Sequence, residues 1–175
     1  MSTEITPLGA LARGVAAGVV GTAMMTISQE LAAKLQSSDD EGERATEQDA
    51  AAQDPWEQAS MPAQVGRRIS EGVFHKEVSP DLIPVLTHAM HWAYGTSFGA
   101  AYGLLAGSVP SRPVRHGLLF GTGVMAMSYL QLVPMGIYEP PWKYAAKDLA
   151  TELGFHLVYG LGVAGGYRVI AGSSA

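Results

Sequence analysis

The chain of 175 residues is 47% hydrophobic and only 15% charged, with 21 glycines, no cysteine and a formal net charge of −5. This length allows one ordinary domain, and the absence of cysteine excludes disulfides and thiolate metal ligands. The sequence has no basic nucleic-acid patch, phosphate-binding glycine loop, serine nucleophile motif or zinc-protease motif. Charge is distributed unevenly, because 11 of the 16 acidic residues lie within 39–81 and none within 82–111.

Four stretches are long and apolar enough to be transmembrane helices. A charge-free run of more than about 18 apolar residues is a candidate, because about 20 helical residues cross the hydrocarbon core of a bilayer. The four stretches are residues 8–35, 82–109, 116–138 and 149–170. A soluble bundle would need a polar stripe on each helix, and "HGLLFGTGVMAMSYLQLVPMG" has none wide enough to face water. The sequence therefore predicts an all-α fold, a polytopic membrane four-helix bundle.

The first stretch has a competing interpretation as a cleaved signal peptide, because Arg13 precedes its apolar core. Arg13 is the only basic residue there, and no small-x-small cleavage site follows Ile27 before Gln29 and Glu30. A retained membrane span is therefore expected.

A long polar loop, residues 36–81, separates the first two predicted spans. Its first half is acidic and rich in alanine and glutamine, which is typical of solvated chain. Residues 61–74 instead repeat apolar side chains at four-residue steps with two arginines between them. These residues are Val65, Ile69, Val73, Arg67 and Arg68. The pattern predicts a short amphipathic helix on the membrane surface or on the bundle, or a plain extramembrane linker helix.

Glycine recurs at every fourth position along the second span, within "LTHAMHWAYGTSFGAAYGLLAG". The stripe consists of Gly95, Gly99, Gly103 and Gly107, and similar pairs are Gly14/Gly18, Gly117/Gly121 and Gly162/Gly166. Membrane helices associate by close packing, which small residues permit. The stripe predicts tight helix contact, with a homodimer or membrane-partner face and a gap for a flat cofactor as alternatives.

Ionisable residues are predicted to gather at one end of the bundle. In an antiparallel four-span bundle, the ends of spans one and three share one membrane side with the beginnings of spans two and four. His88 and His91 are three residues apart and Glu152 and His156 four apart, so each pair shares a helix face. The predicted site therefore consists of Glu30, His88, His91, Glu152 and His156, and Tyr94, Gln131 and Tyr138 are close enough in depth to join it.

Four chemistries suit this set of side chains. Imidazole and carboxylate ligands without thiols match zinc, iron or manganese, which makes all five residues candidate metal ligands. A haem between a histidine on span two and one on span four is a less favoured alternative. Histidine and carboxylate also form proton-binding sites, and a hydrogen-bonded polar cap would be purely structural. A membrane enzyme would further need an open metal position and a substrate cavity, which a sequence does not reveal.

Three motifs resemble the YagU-type family of small bacterial inner-membrane proteins. They are "HAMHW" in the second span, "PMGIYEPPW" at the end of the third and "ELGFH" in the fourth. The similarity carries over to His88, His91 and Trp92, to Pro134–Gly136 with Pro140–Trp142, to Glu152 and His156, and to Glu30 near the end of span one. The resemblance implies a cytoplasmic N-terminus, an external first loop and a loose association with acid or stress tolerance.

Together these patterns predict a multi-pass protein of the bacterial cytoplasmic membrane. The expected role is that of a metal-binding or proton-linked accessory protein, and the alternative is a structural or partner-binding subunit. The distribution of lysine and arginine across the predicted loops leaves the orientation open.

Overall fold

The computed structural model describes residues 6–39, 54–106 and 112–172, and all regular structure within these ranges is helical. The α-helices are α1 (Pro7–Asp39), α2 (Met61–Val73), α3 (Ile83–Ala106), α4 (Pro113–Leu132) and α5 (Ala146–Gly172). Single 3-10 turns at Pro80–Leu82 and Pro141–Lys143 precede α3 and α5. The prediction of an all-α fold is confirmed for the described part of the chain.

Helices α1, α3 and α5 coincide with the predicted stretches 8–35, 82–109 and 149–170 to within a few residues, although 107–109 lie outside the described ranges. The prediction for 116–138 is wrong at its C-terminal end, because α4 stops at Leu132.

The chain turns sharply after α4. The carbonyl oxygen of Leu132 accepts hydrogen bonds from the amides of Ile137 at 3.0 Å and Tyr138 at 3.2 Å, which closes a tight turn. Pro134 has no amide hydrogen with which to extend the helix. Gly136 has a φ of 64°, a left-handed conformation that glycine adopts at little cost. Tyr138 therefore lies in the connection between α4 and α5, outside both helices.

The chain divides into two compact units. The first comprises Met1–Gln29 with Trp92–Ala175, and the second is Glu30–His91. The first unit thus contains most of α1 and α3 and the whole of α4 and α5.

In the first unit, α1 and α3 pack backbone against backbone. A Cβ atom added to Gly14 would lie 2.5 Å from the carbonyl oxygen of Gly99, and one added to Gly18 would lie 3.0 Å from that of Gly95. Gly103 also faces Gly14. The prediction of tight helix contact is confirmed for these glycines, whereas Gly107 lies outside the described residues. Because α1 of the same chain covers this stripe, a partner or flat cofactor bound there would have to displace α1.

Helix α5 packs closely on both α4 and α1. A Cβ atom added to Gly117 on α4 would lie 2.9 Å from the carbonyl oxygen of Gly160, and one added to Gly162 would lie 2.9 Å from the Cα of Gly21. The predicted glycine pairs on α4 and α5 are therefore also helix contacts.

The interior of the first unit is built mainly from small, aromatic and polar side chains with two valines, whereas none of its described leucines is buried. The buried cluster consists of Ala17, Tyr102, Val124, Tyr159, Val163, Ala164 and Tyr167. Thr22 and Ser128 are also buried, and each hydroxyl donates to a carbonyl one turn earlier in its own helix, that of Gly18 or Val124. By contrast, Ile27 is 64% exposed and Leu119 63% exposed.

The second unit contains more ordered structure within 36–81 than a loop with one short helix. Helix α1 continues to Asp39, and Trp56, Ala59 and Ala63 form a small core with Val78, Ile83 and Leu86. The predicted amphipathic helix 61–74 is confirmed as α2, which approaches Leu86 and Met90 of α3 closely at Gly66. The guanidinium of Arg67 lies 4.9 Å from the centre of the Trp56 ring and donates to Glu71. Apolar contacts therefore order this part of the segment, and residues 40–53 lie outside the described ranges.

Within the described ranges, one helix has the length and the apolar composition needed to cross a membrane. It is α1, over Pro7–Gln36. A buried core helix and a signal sequence meet the same criteria.

Candidate functional site

A carboxylate and three tyrosines meet where α4 ends and α5 begins. Tyr129, in the last turns of α4, donates a 2.6 Å hydrogen bond to Oε2 of Glu152, and Tyr138 donates a 3.2 Å bond to Oε1. The ring of Tyr144 lies edge-on to both of the other tyrosines, with centroids 6.1 and 6.4 Å away. Both oxygens of the half-buried Glu152 side chain are therefore held by phenolic hydroxyls.

The tight turn after α4 positions Tyr138 for this contact. Because the chain reverses at Gly136, the Tyr138 ring returns to within 5.0 Å of the Tyr129 ring. Burial and the neighbouring Glu152 carboxylate raise the pKa of Tyr138 well above its ordinary value of 10.0. The hydroxyl therefore keeps its proton and remains a donor to Glu152.

His156 lies one turn beyond Glu152 and is 8% exposed. Its Nδ1 is 2.9 Å from the backbone carbonyl oxygen of Glu152. A carbonyl only accepts hydrogen bonds, so Nδ1 carries a hydrogen and Nε2 has the free lone pair in the neutral ring. Gly121 of α4 packs directly against the His156 backbone. Close packing at Gly121 thus helps to bury His156, and the hydrogen bond to the Glu152 carbonyl sets its tautomer.

A second polar contact joins α3 to α4. The hydroxyl of Tyr94 donates to Oε1 of Gln131 at 2.9 Å and lies 3.4 Å from Oγ of Ser128. Of the three side chains predicted to join the site, Tyr138 contacts Glu152, whereas Tyr94 and Gln131 contact each other.

Two further tyrosines of α5 bind backbone carbonyls of α3. Tyr159 donates to the carbonyl oxygen of Gly95 at 2.6 Å, and Tyr167 donates to that of Gly103 at 3.4 Å. Both acceptors belong to the glycine stripe, where the absence of a Cβ exposes the carbonyls. The spacing of residues along the sequence does not predict these contacts or the role of Tyr129.

The five predicted ligands belong to different units. Glu152 and His156 lie together in the first unit, whereas Glu30, His88 and His91 belong to the second. Glu30 and His88 are exposed and His91 is half-buried. Within the described ranges, no group of three or more histidine, aspartate or glutamate side chains is arranged to hold a metal ion. The ligand set and the haem alternative stay predictions.

Comparison of the chain with protein-family models, with curated proteins and with solved structures found no match in any of the three.

Proposed function

We propose that the chain is an integral membrane protein in which α1, α3, α4 and α5 cross a lipid bilayer and Glu152 and His156 form a proton-binding site in the interior. The observation that carries this proposal is the distribution of side chains in the first unit. Mainly glycine, alanine, tyrosine and hydroxyl side chains fill the helix contacts, and many large aliphatic side chains are exposed.

Lipid explains this arrangement better than water does. Leaving a large aliphatic side chain in water instead of burying it costs about 1.5–3 kcal/mol, and α1 alone exposes nine large hydrophobic side chains. Hydrocarbon solvates such side chains, so helix association depends instead on close backbone approach at small residues. Within the described ranges every buried side-chain nitrogen or oxygen has a hydrogen-bond partner, as a hydrocarbon environment requires.

The helix lengths suit a bilayer. Helix α4 has 20 residues and α1 has 33, which correspond to about 30 and 50 Å, against a hydrocarbon thickness of about 30 Å. The connection before α5 carries Trp142, 83% exposed, next to Lys143. An indole beside an ammonium group is typical of the headgroup region.

Glu152 and His156 are suited to proton binding in such a bundle. Ionisable side chains inside membranes are costly and mark functional sites when they face the bundle interior. A proton needs only one carboxylate or imidazole to bind it, whereas a metal ion needs three or four ligands. Donors from Tyr129 and Tyr138 stabilise the ionised carboxylate, and rotation of either hydroxyl accommodates the protonated form.

Two measurements test this proposal. Extraction of native membranes with alkaline carbonate should leave the protein in the pellet, and release into the supernatant would contradict membrane insertion. Infrared difference spectra across a pH jump should contain a carboxyl band that is missing in Glu152→Gln and displaced in Tyr129→Phe. Identical difference spectra for the wild type and Glu152→Gln would contradict the proton site.

A metal site is the second candidate, and the geometry of His156 favours it. Histidine ligands commonly donate their second ring nitrogen to a carbonyl or carboxylate, as Nδ1 of His156 does, which directs Nε2 to the metal. Zinc, iron or manganese at Nε2 would need further imidazole or carboxylate ligands. Elemental analysis of the purified protein should then give about one metal per chain, lost in the His156→Ala variant. Equal metal content in both proteins would contradict this assignment.

Location in a bacterial cytoplasmic membrane, membership of the YagU-type family and an accessory role in stress tolerance complete the proposal. The family motifs coincide with Glu152 and His156, the two groups assigned to the proton site.

A further inference from the structure

A basic groove lies in the first unit between the start of α4 and the end of α5. Its volume is about 660 Å³. Three arginines line it, Arg112 just before α4, Arg115 in its first turn and Arg168 of α5. The apolar residues Pro113, Val114, Leu118 and Leu119 complete the lining. Glu152 lies near the other end of α5, so the groove is separate from the proposed proton site.

The arginines of this groove have no carboxylate partner in the described part of the chain. The ion pairs within the described ranges are Arg67–Glu71 and Lys143–Glu139. Three like charges around one groove repel one another, and an anion between them removes that repulsion. Guanidinium groups bind phosphate through paired N–H donors. The groove therefore suits a phosphate-bearing ligand.

The floor of the groove is apolar. Leu118 and Leu119 follow Arg115 by three and four residues, so they lie on the same side of α4 just below its charge. Both leucines are exposed, Leu119 strongly so. The groove thus presents cationic donors at its rim and an aliphatic surface directly beneath, a match for a phosphate joined to a hydrocarbon chain.

We propose that this groove binds an anionic phospholipid, with its phosphate on Arg112, Arg115 and Arg168 and an acyl chain along Leu118 and Leu119. This inference depends on the membrane location proposed above. Basic pockets between membrane helices are recognised sites for anionic headgroups. A free phosphate would satisfy the arginines but would leave the leucines uncovered.

The test uses the full chain reconstituted in nanodiscs of mixed phosphatidylglycerol and phosphatidylcholine, released into detergent and examined by native mass spectrometry. The wild type should retain one phosphatidylglycerol in preference to phosphatidylcholine. Each arginine near an anionic headgroup contributes about fivefold in affinity, so Arg112→Gln with Arg168→Gln should weaken retention about 30-fold. The control, Arg68→Gln with Lys147→Gln, removes two exposed charges outside the groove and should retain lipid as the wild type does.

Two outcomes would overturn the lipid site alone. One is equal retention by the groove variant and the wild type in protein that has inserted into nanodiscs. The other is release of the bound lipid by millimolar inorganic phosphate, because that would make the groove a site for free anions. Failure of the wild type to enter nanodiscs would overturn the membrane proposal itself.

Discussion

Gly14 of α1 and Gly99 of α3 pack so closely that a Cβ atom added to Gly14 would lie 2.5 Å from the carbonyl oxygen of Gly99. From the other side, a Cβ atom on Gly99 would lie 2.6 Å from the amide nitrogen of Gly18. Backbone atoms occupy both sides of this contact, so no side chain can rotate to make room. Absence of a Cβ is therefore a structural requirement at the contact.

Replacement of Gly99 by alanine should destabilise the protein. Overpacking a close contact costs about 1–3 kcal/mol, which exceeds the gain of up to about 1 kcal/mol in helix propensity. Gly123 of α4 is the matched control, because a Cβ atom there would meet nothing within 4 Å. Gly123→Ala should be neutral or stabilising by up to about 1 kcal/mol. Unfolding in detergent measures both, and equal stabilisation by the two substitutions would contradict the contact.

Removing the Tyr129 hydroxyl should destabilise the protein, because Glu152 then loses one of its hydrogen-bond donors. A hydrogen bond to a charged group contributes about 1.5–3 kcal/mol, so Tyr129→Phe should lower the free energy of unfolding by about that amount. A double-mutant cycle with Glu152→Gln should give a coupling energy of about 1 kcal/mol or more. Tyr144→Phe is the control, because the Tyr144 hydroxyl accepts from the Glu139 amide instead. If the coupling energy between Tyr129→Phe and Glu152→Gln is as small as that between Tyr144→Phe and Glu152→Gln, the Tyr129–Glu152 hydrogen bond is contradicted.

Tyr138 should make stability fall at alkaline pH. Its pKa in the folded protein is raised by burial and by Glu152, whereas in the unfolded chain it is near 10.0. The unfolded state therefore loses the proton first, so the stabilisation is complete below about pH 10 and declines above it. Melting temperatures between about pH 9 and pH 11 should fall more steeply for the wild type than for Tyr138→Phe. Parallel curves would show that Tyr138 titrates alike in both states.

The tautomer of His156 is also directly measurable. In the neutral ring the proton should reside on Nδ1, because the Glu152 carbonyl can only accept. Nitrogen NMR of histidine-labelled protein, with the signal assigned through His156→Gln, distinguishes a protonated Nδ1 from a protonated Nε2. A proton on Nε2 would contradict both the hydrogen bond and the availability of Nε2 to a metal.

Helical periodicity and glycine spacing were enough to predict the helices and the contacts at Gly14, Gly18, Gly95 and Gly99. Both features are local. An apolar run indicates a helix, and the missing Cβ of a glycine determines how closely another helix can approach. The apolar pattern places the end of α4 too late, because the turn depends on a left-handed conformation at Gly136 that such a pattern does not encode.

The candidate site was predicted only in part. The i,i+4 spacing of Glu152 and His156 was sufficient to place them together. The contribution of Tyr129 comes from a different helix and depends on the register between α4 and α5, which Gly117 and Gly121 fix through contacts with α5. The sequence feature that could indicate this contact is the position of Tyr129, which lies in the last turns of α4 and therefore at the level of the start of α5. The sequence does not predict the core around Trp56, because the acidic composition of the flanking residues is typical of a solvated loop.

Membrane insertion is tested most directly by spin labels at outward-facing positions, since the chain has no native cysteine to label in the background. Single cysteines would replace one exposed residue on each of α1, α3, α4 and α5, namely Ile27, Leu104, Leu119 and Leu161. We expect relaxation of all four labels to be enhanced more by oxygen, which partitions into hydrocarbon, than by a water-soluble nickel chelate. Stronger relaxation by the nickel chelate at these positions in reconstituted protein would show that the faces meet water and would contradict the membrane proposal.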